Sequence, residues 1–190
     1  MKPFVGYKAE RQTAREQLPV GAYVAKILEA KEISYDWGNV LQISFDIIEG
    51  EYKDFFKTDY NGQQQEDKKW RGTYRLNVPK DDGSEKDGWT KNTFNGAMWA
   101  IEQSNPGYHW DWNESGLKGK LVGINYREFD WAMDNGNSGT STECGRFETI
   151  DDVRSGKCKE LKKRELKNKG KQATTSFSEI ASGYDSELPF

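Results

Sequence analysis

The chain has 190 residues, 34% hydrophobic and 31% charged, with a formal net charge of −3; this supplies a core for part of the chain rather than all of it. No run approaches the roughly 20 apolar residues of a membrane span, Met1–Lys8 contains no apolar signal-like stretch, and Cys144 and Cys158 cannot staple a domain this large. These features argue against a membrane protein, a disulfide scaffold and a wholly disordered chain, and a cytoplasmic protein is expected.

After a charged arm over residues 1–17, Leu18-Pro19-Val20-Gly21 reads as a turn, and Ala22 to Ile33 alternates as a long first strand. Tyr35-Asp36-Trp37-Gly38-Asn39 is a turn, and Val40 to Ile48 alternates again, so the two strands form a hairpin with an aromatic ring at its tip. Tyr52 to Tyr60 reads as a further short strand, Asn61 to Lys69 as a polar loop, and Trp70 to Val78 as the third core strand. The period then changes. Phe94, Met98 and Ile101 lie four and three residues apart, with Thr90 placed to cap and Asn105-Pro106-Gly107 placed to stop the only convincing helix of the first 150 residues. Lys120 to Phe129 is a fourth strand, Asp134 to Thr142 a loop, and Glu143 to Ile150 a fifth strand. Phe45, Phe94 and Trp99 are expected in the core.

Charge is segregated beyond this point. Lys157, Lys159, Lys162, Lys163, Arg164, Lys167, Lys169 and Lys171 face only Glu160 and Glu165, giving residues 157–171 a charge of +6, against −6 for the preceding part. Residues 172–190 have no Lys or Arg and are rich in Ser, Thr, Ala, Gly and acids, a composition unable to offset the cost of chain ordering. The expected organisation is an arm (1–17), a folded domain (18–156), a basic linker (157–171) and a flexible acidic tail (172–190) ending in Leu188-Pro189-Phe190. A terminal Phe presents a ring beside a free carboxylate, which fits a shallow apolar pocket rimmed by cations.

Enzymatic signatures are weak. His109 is the single histidine, so a hydrolytic triad depends on it alone; Cys144, Cys158 and His109 make a metal set one ligand short; and Gly119-Lys120-Leu121 lacks the glycine-rich loop and hydroxyl of a phosphate site. No catalytic residue, metal or cofactor is expected.

Three strands, a helix and two strands is the order of the five-stranded Greek-key OB barrel, in which one helix sits between strands three and four. That fold offers an open face on strands two and three to oligonucleotides or oligosaccharides. Rings that stack under bases and cations that track phosphates hold single-stranded nucleic acid. Trp37, Lys53, Phe55, Lys57, Tyr60, Lys68, Lys69, Trp70, Arg71, Tyr74 and Arg75 supply both kinds of group, although strand alternation sends about half of the rings inward.

Asp185-Ser186-Glu187-Leu188-Pro189-Phe190 resembles the acidic tip of bacterial single-stranded DNA-binding proteins. The body is similar to the single-stranded DNA-binding-like proteins of phages and prophages of Gram-positive bacteria. The matching pieces are Leu18-Pro19-x-Gly21-x-Tyr23, Phe45-Asp46-Ile47-x-Glu49-Gly50-Glu51-Tyr52, Ile101-Glu102-x-Ser104-Asn105-Pro106-Gly107-Tyr108, Leu117-x-Gly119-Lys120 and Arg154-Ser155-Gly156-Lys157. The resemblance implies a non-enzymatic protein that coats single-stranded DNA during replication, recombination or repair, near the nucleoid of a bacterial host. It implies docking of partner enzymes through Asp185, Glu187, Leu188, Pro189 and Phe190, and it allows a homo-oligomer. A sugar-binding β module and a component of a phage nuclease or recombination complex are the competing readings.

Overall fold

The computed structural model describes residues 16–166. They form a mainly β unit with strands β1 (Gly21–Tyr35), β2 (Gly38–Ile47), β3 (Thr73–Asn77), β4 (Leu121–Ala132) and β5 (Ser138–Glu148). Three helices accompany them: α1 (Phe55–Gly62), α2 (Glu85–Ser104) and α3 (Ile150–Arg154), with a 3-10 turn at Glu114–Leu117. The sheet is antiparallel throughout, in the order β3-β2-β1-β4-β5.

The 15-residue β1 is central because it serves two partners. Gly21–Lys26 pairs with β4, and Ala25–Tyr35 pairs with β2. An irregularity between Ile27 and Glu29 supplies the local bend and twist that lets one strand serve both. β3 and β5 are the two edges of the sheet, with no hydrogen-bonded ladder between them among the described residues. Across that gap the Tyr74 and Phe147 rings lie 4.7 Å apart, and α2 packs against β3, β4 and β5.

Alternation puts Ala25, Ile27, Leu41, Ile43, Phe45, Ile47, Leu76, Val122, Ile124 and Phe147 on the inner face, where they meet Phe94, Met98 and Ile101 of α2. Gly72 shows how tight this packing is: a Cβ there would lie 2.4 Å from the Phe45 carbonyl and 2.6 Å from the Phe56 ring. Tyr23 closes one end, its hydroxyl donating to the Pro19 carbonyl at 2.8 Å. Burial, followed by the neighbouring Tyr52 and Glu51, pushes its pKa from 10.0 up to about 12. The folded protein therefore keeps a proton that the unfolded chain gives up above pH 10, so stability falls as pH rises from about 10 to about 12. Melting curves of Tyr23→Phe across that window should fall less steeply than those of the parent protein.

Several expectations need correction. The expected strand over Tyr52–Tyr60 is replaced by α1. The Asp46 carboxylate, on β2, accepts from the Phe56 and Lys57 N–H groups at 3.0 and 3.2 Å and supplies the first-turn partners that a helix cannot supply itself. Helix α2 begins earlier than expected: Ser84, not Thr90, is its cap, accepting from the Asp87 N–H. Phe94 and Phe45 are buried as expected, but Trp99 is 56% exposed. The last strand also begins earlier, because Ser138–Thr142 joins the β4 ladder.

The motif around Ser104 and Asn105 is structural. Asn105 bonds both the N–H and the carbonyl of Leu121, at 2.9 and 2.7 Å, fixing the end of α2 to the start of β4. Ser104 accepts from the Ile150 N–H at 3.1 Å.

The basic segment is not helical where it is described. Arg164 exchanges backbone hydrogen bonds with Glu128 and Asp130 beside the free edge of β4. Its guanidinium forks onto Glu143, with both bonds at 2.9 Å, and covers the Phe129 ring. Asn125 holds the Lys159 carbonyl. Most of the N-terminal arm, the remainder of the basic segment and the whole acidic tail lie outside the described residues.

Candidate nucleic-acid interface

The turn between β1 and β2 contains only Asp36 and Trp37. Tyr35, the last residue of β1, stacks on Trp37 with ring centres 5.2 Å apart and planes within 8°. Each ring covers one face of the other, and Trp37 remains 39% exposed. Tyr35 pairs with Gly38, whose φ of +148° favours glycine. The Lys80 side chain lies against this glycine: a Cβ there would be 2.9 Å from its Cε.

The ladders define what shares a face with this tip. Tyr35 pairs with Gly38, Ile33 with Val40, Lys31 with Gln42 and Glu29 with Ser44. Across β2, Val40 pairs with Asn77, Gln42 with Arg75 and Ser44 with Thr73. Directly opposed residues share one side of a sheet, so the outer face of β1-β2-β3 carries a Lys31–Gln42–Arg75 row below the stacked rings. Lys31 and Arg75 are exposed, and Arg75 Nε donates to Gln42 Oε1 at 3.1 Å. Glu29 also lies on this face, so it is not uniformly positive.

The residues singled out by sequence divide between two places. Trp37 and Arg75 belong to the face just described. Lys53, Phe55, Lys57, Tyr60, Lys68, Lys69, Trp70 and Arg71 gather around α1 and the loop after it. There Phe55 is half-buried, edge-on to Tyr52 and Phe56, and the Tyr60 and Trp70 rings are 5.8 Å apart. Trp70 Nε1 donates to the Phe45 and Gly72 carbonyls, both at 3.2 Å, which turns this ring toward the core. Lys68 lies 5.7 Å from the Tyr60 ring centre and bonds the Asn61 carbonyl. Gln63 holds the Lys69 backbone, and Arg71 pairs with Asp59 at 3.2 Å. Lys53 and Lys57 are exposed. Tyr74 points inward against Phe147, and burial holds its hydroxyl well above the ordinary tyrosine range.

No family model matches the chain, and no curated protein matches it.

Residue type alone does not single out Tyr35, Lys31, Gln42 or Lys80. The signal for three of them is the hairpin register: a two-residue turn at Asp36-Trp37 fixes Tyr35 opposite Gly38 and Lys31 opposite Gln42. Lys80 needs the fold itself. Asp185, Glu187, Leu188, Pro189 and Phe190 lie outside the described residues. Among the described residues, no group of three or more His, Cys, Asp or Glu side chains converges on a possible metal position, and no helix is long and apolar enough to cross a membrane. His109 is exposed and lies 3.7 Å from Glu102.

Proposed function

We propose that this chain is a non-catalytic single-stranded DNA-binding protein, with an OB-type Greek-key barrel as its body and a partner-docking tip at its C-terminus. The observation that carries the reading is the stacked Tyr35–Trp37 pair standing beside the Lys31–Gln42–Arg75 row. A ring with one free face takes a base of any identity, and cations two strands apart follow a phosphate backbone without reading sequence. Gln42 offers a donor and an acceptor between them. The strand order and the helix between β3 and β4 support the barrel reading, with β3 and β5 as the pair that approaches without a ladder. The tail resemblance supports recruitment of replication, recombination or repair enzymes in a bacterial cytoplasm.

Titration of the full chain with oligo-dT at several salt concentrations tests the proposal. Tryptophan fluorescence should be quenched, while neutral oligosaccharides leave it unchanged. Labelled single-stranded DNA should remain intact in the presence of Mg²⁺; degradation would favour a nuclease component instead. Replacing Lys31 and Arg75 together by alanine should reduce the dependence of log affinity on log salt by about 0.7 for each phosphate no longer neutralised. An unchanged slope would remove this row from the binding surface.

A further inference from the structure

Beyond α3 the basic segment crosses the β4–β5 pair without forming a helix, and from residue 157 to 166 only Cys158, Leu161 and Arg164 are half-buried while the rest are exposed. One residue in three faces the domain. The seat for these residues belongs to the sheet itself. β1 pairs with β4 only over Leu121–Tyr126, so the β4 edge beyond Tyr126 is left for Arg164. Its N–H donates to the Glu128 carbonyl at 2.9 Å, and its carbonyl accepts from the Asp130 N–H at 3.0 Å. Gly145 of β5 leaves room for Leu161: a Cβ there would lie 2.7 Å from the leucine Cδ1. Charge completes the contact. Arg164 forks onto Glu143 with both bonds at 2.9 Å. Lys163 Nζ lies 2.7 Å from Asp130 Oδ1 and holds that carboxyl below its ordinary range.

These contacts can part without disturbing the domain. The backbone contact at Arg164 is an isolated bridge rather than a ladder. The side chains of Lys163, Arg164, Asp130 and Glu143 are 25–38% exposed, so salt screens their attraction. Opening leaves neither carboxylate unpaired: Glu143 keeps Arg127 Nε at 3.0 Å, and Asp130 keeps the Thr140 hydroxyl at 2.6 Å. A segment with so few buried apolar groups opens at a free energy well below that of global unfolding. Phosphate oxygens suit an arginine fork as well as a carboxylate does, so a chain of phosphates competes for the same cations.

We propose that residues 158–165 form a releasable strap, held closed on β4 and β5 by Glu143 and Asp130 in the free protein and opened by a polyphosphate backbone that takes Lys163 and Arg164. A closed strap withholds these cations, so the observed affinity is the intrinsic one reduced by the fraction of molecules that are open. That the polyanion is single-stranded DNA rests on the proposed function; the closed strap itself does not.

Two uncharged changes loosen the strap from opposite sides in the full chain: Leu161→Ser removes its apolar anchor, and Gly145→Val fills the seat. Hydrogen exchange at the Asp130 N–H, which loses its partner when the strap leaves, should quicken about tenfold in both variants, with unchanged far-ultraviolet circular dichroism in Leu161→Ser. Both should bind oligo-dT about fivefold more tightly at low salt, as expected if the parent strap is closed about four-fifths of the time. The gap should close as salt rises, because salt opens the parent strap as well. Exchange at Asp130 equally fast in the parent and Leu161→Ser would overturn the inference, and so would unchanged or weaker oligo-dT binding by Leu161→Ser when the parent binds. A parent that ignores oligo-dT would sink the proposed function instead, and inorganic polyphosphate would then decide for the strap. Faster Asp130 exchange on its addition supports release, and unaltered exchange refutes it.

Discussion

Replacing Tyr35 and Trp37 together by alanine is expected to weaken oligo-dT binding by roughly 5- to 150-fold, the loss of about one base–ring stack at 1–3 kcal/mol. The pair counts as about one stack because each ring already occupies a face of the other, leaving the exposed side of Trp37 for the incoming base. Tyr35→Ala alone should produce part of the loss by removing the ring that holds the indole in place. The rings sit at a two-residue turn outside the core, so the melting temperature should barely change. Fluorescence titration and thermal melting of the same samples distinguish a missing stack from an unfolded chain. Full affinity in the double variant would remove the hairpin tip from the interface and direct attention to Tyr60, Lys53, Lys57 and Lys68 around α1.

The β strands are legible where one face is buried and the other wet. Leu41, Ile43, Phe45 and Ile47 alternate with Gln42 and Ser44, and a period of two has no competing explanation in such a run. Tyr52 to Tyr60 defeats the same logic. Its rings and lysines mimic a half-buried strand, while the group that makes it a helix, the Asp46 carboxylate, comes from the preceding strand and reaches the Phe56 and Lys57 N–H groups only in the folded state.

Trp99 departs from expectation for a different reason. Its size suggests burial, yet Phe94, Met98 and Ile101 define a buried stripe that excludes it, so helical geometry outweighs hydrophobicity. The candidate site is half legible. Residue type alone singles out Trp37 and Arg75, whereas their neighbours Lys31, Gln42 and Tyr35 depend on strand register. The rings along Phe55–Tyr74 are chemically suitable, but Trp70 and Tyr74 face the core, and sequence alone does not set that direction.

The outer face can hold its cations in a row only while the inner face of the same strands is packed, which makes Phe45 the most sensitive position for the fold. The ring is fully buried. It lies edge-on to Phe56 of α1 at 5.7 Å and to Phe147 of β5 at 6.3 Å, while its carbonyl accepts from Trp70 Nε1. Phe45→Ala would remove the ring where β2, α1 and β5 meet. Rigid strands on two sides and the close Gly72 backbone leave little scope for collapse, so a cavity should remain. The expected cost is about 3–5 kcal/mol, a large share of the roughly 5–15 kcal/mol that stabilises an ordinary domain. Urea unfolding should show the midpoint falling sharply at an unchanged slope. Oligo-dT affinity should stay near that of the parent protein in dilute urea-free buffer and collapse at temperatures the parent tolerates. A cost below about 1 kcal/mol would mean that the ring is not enclosed and that α1 and β5 do not meet across it.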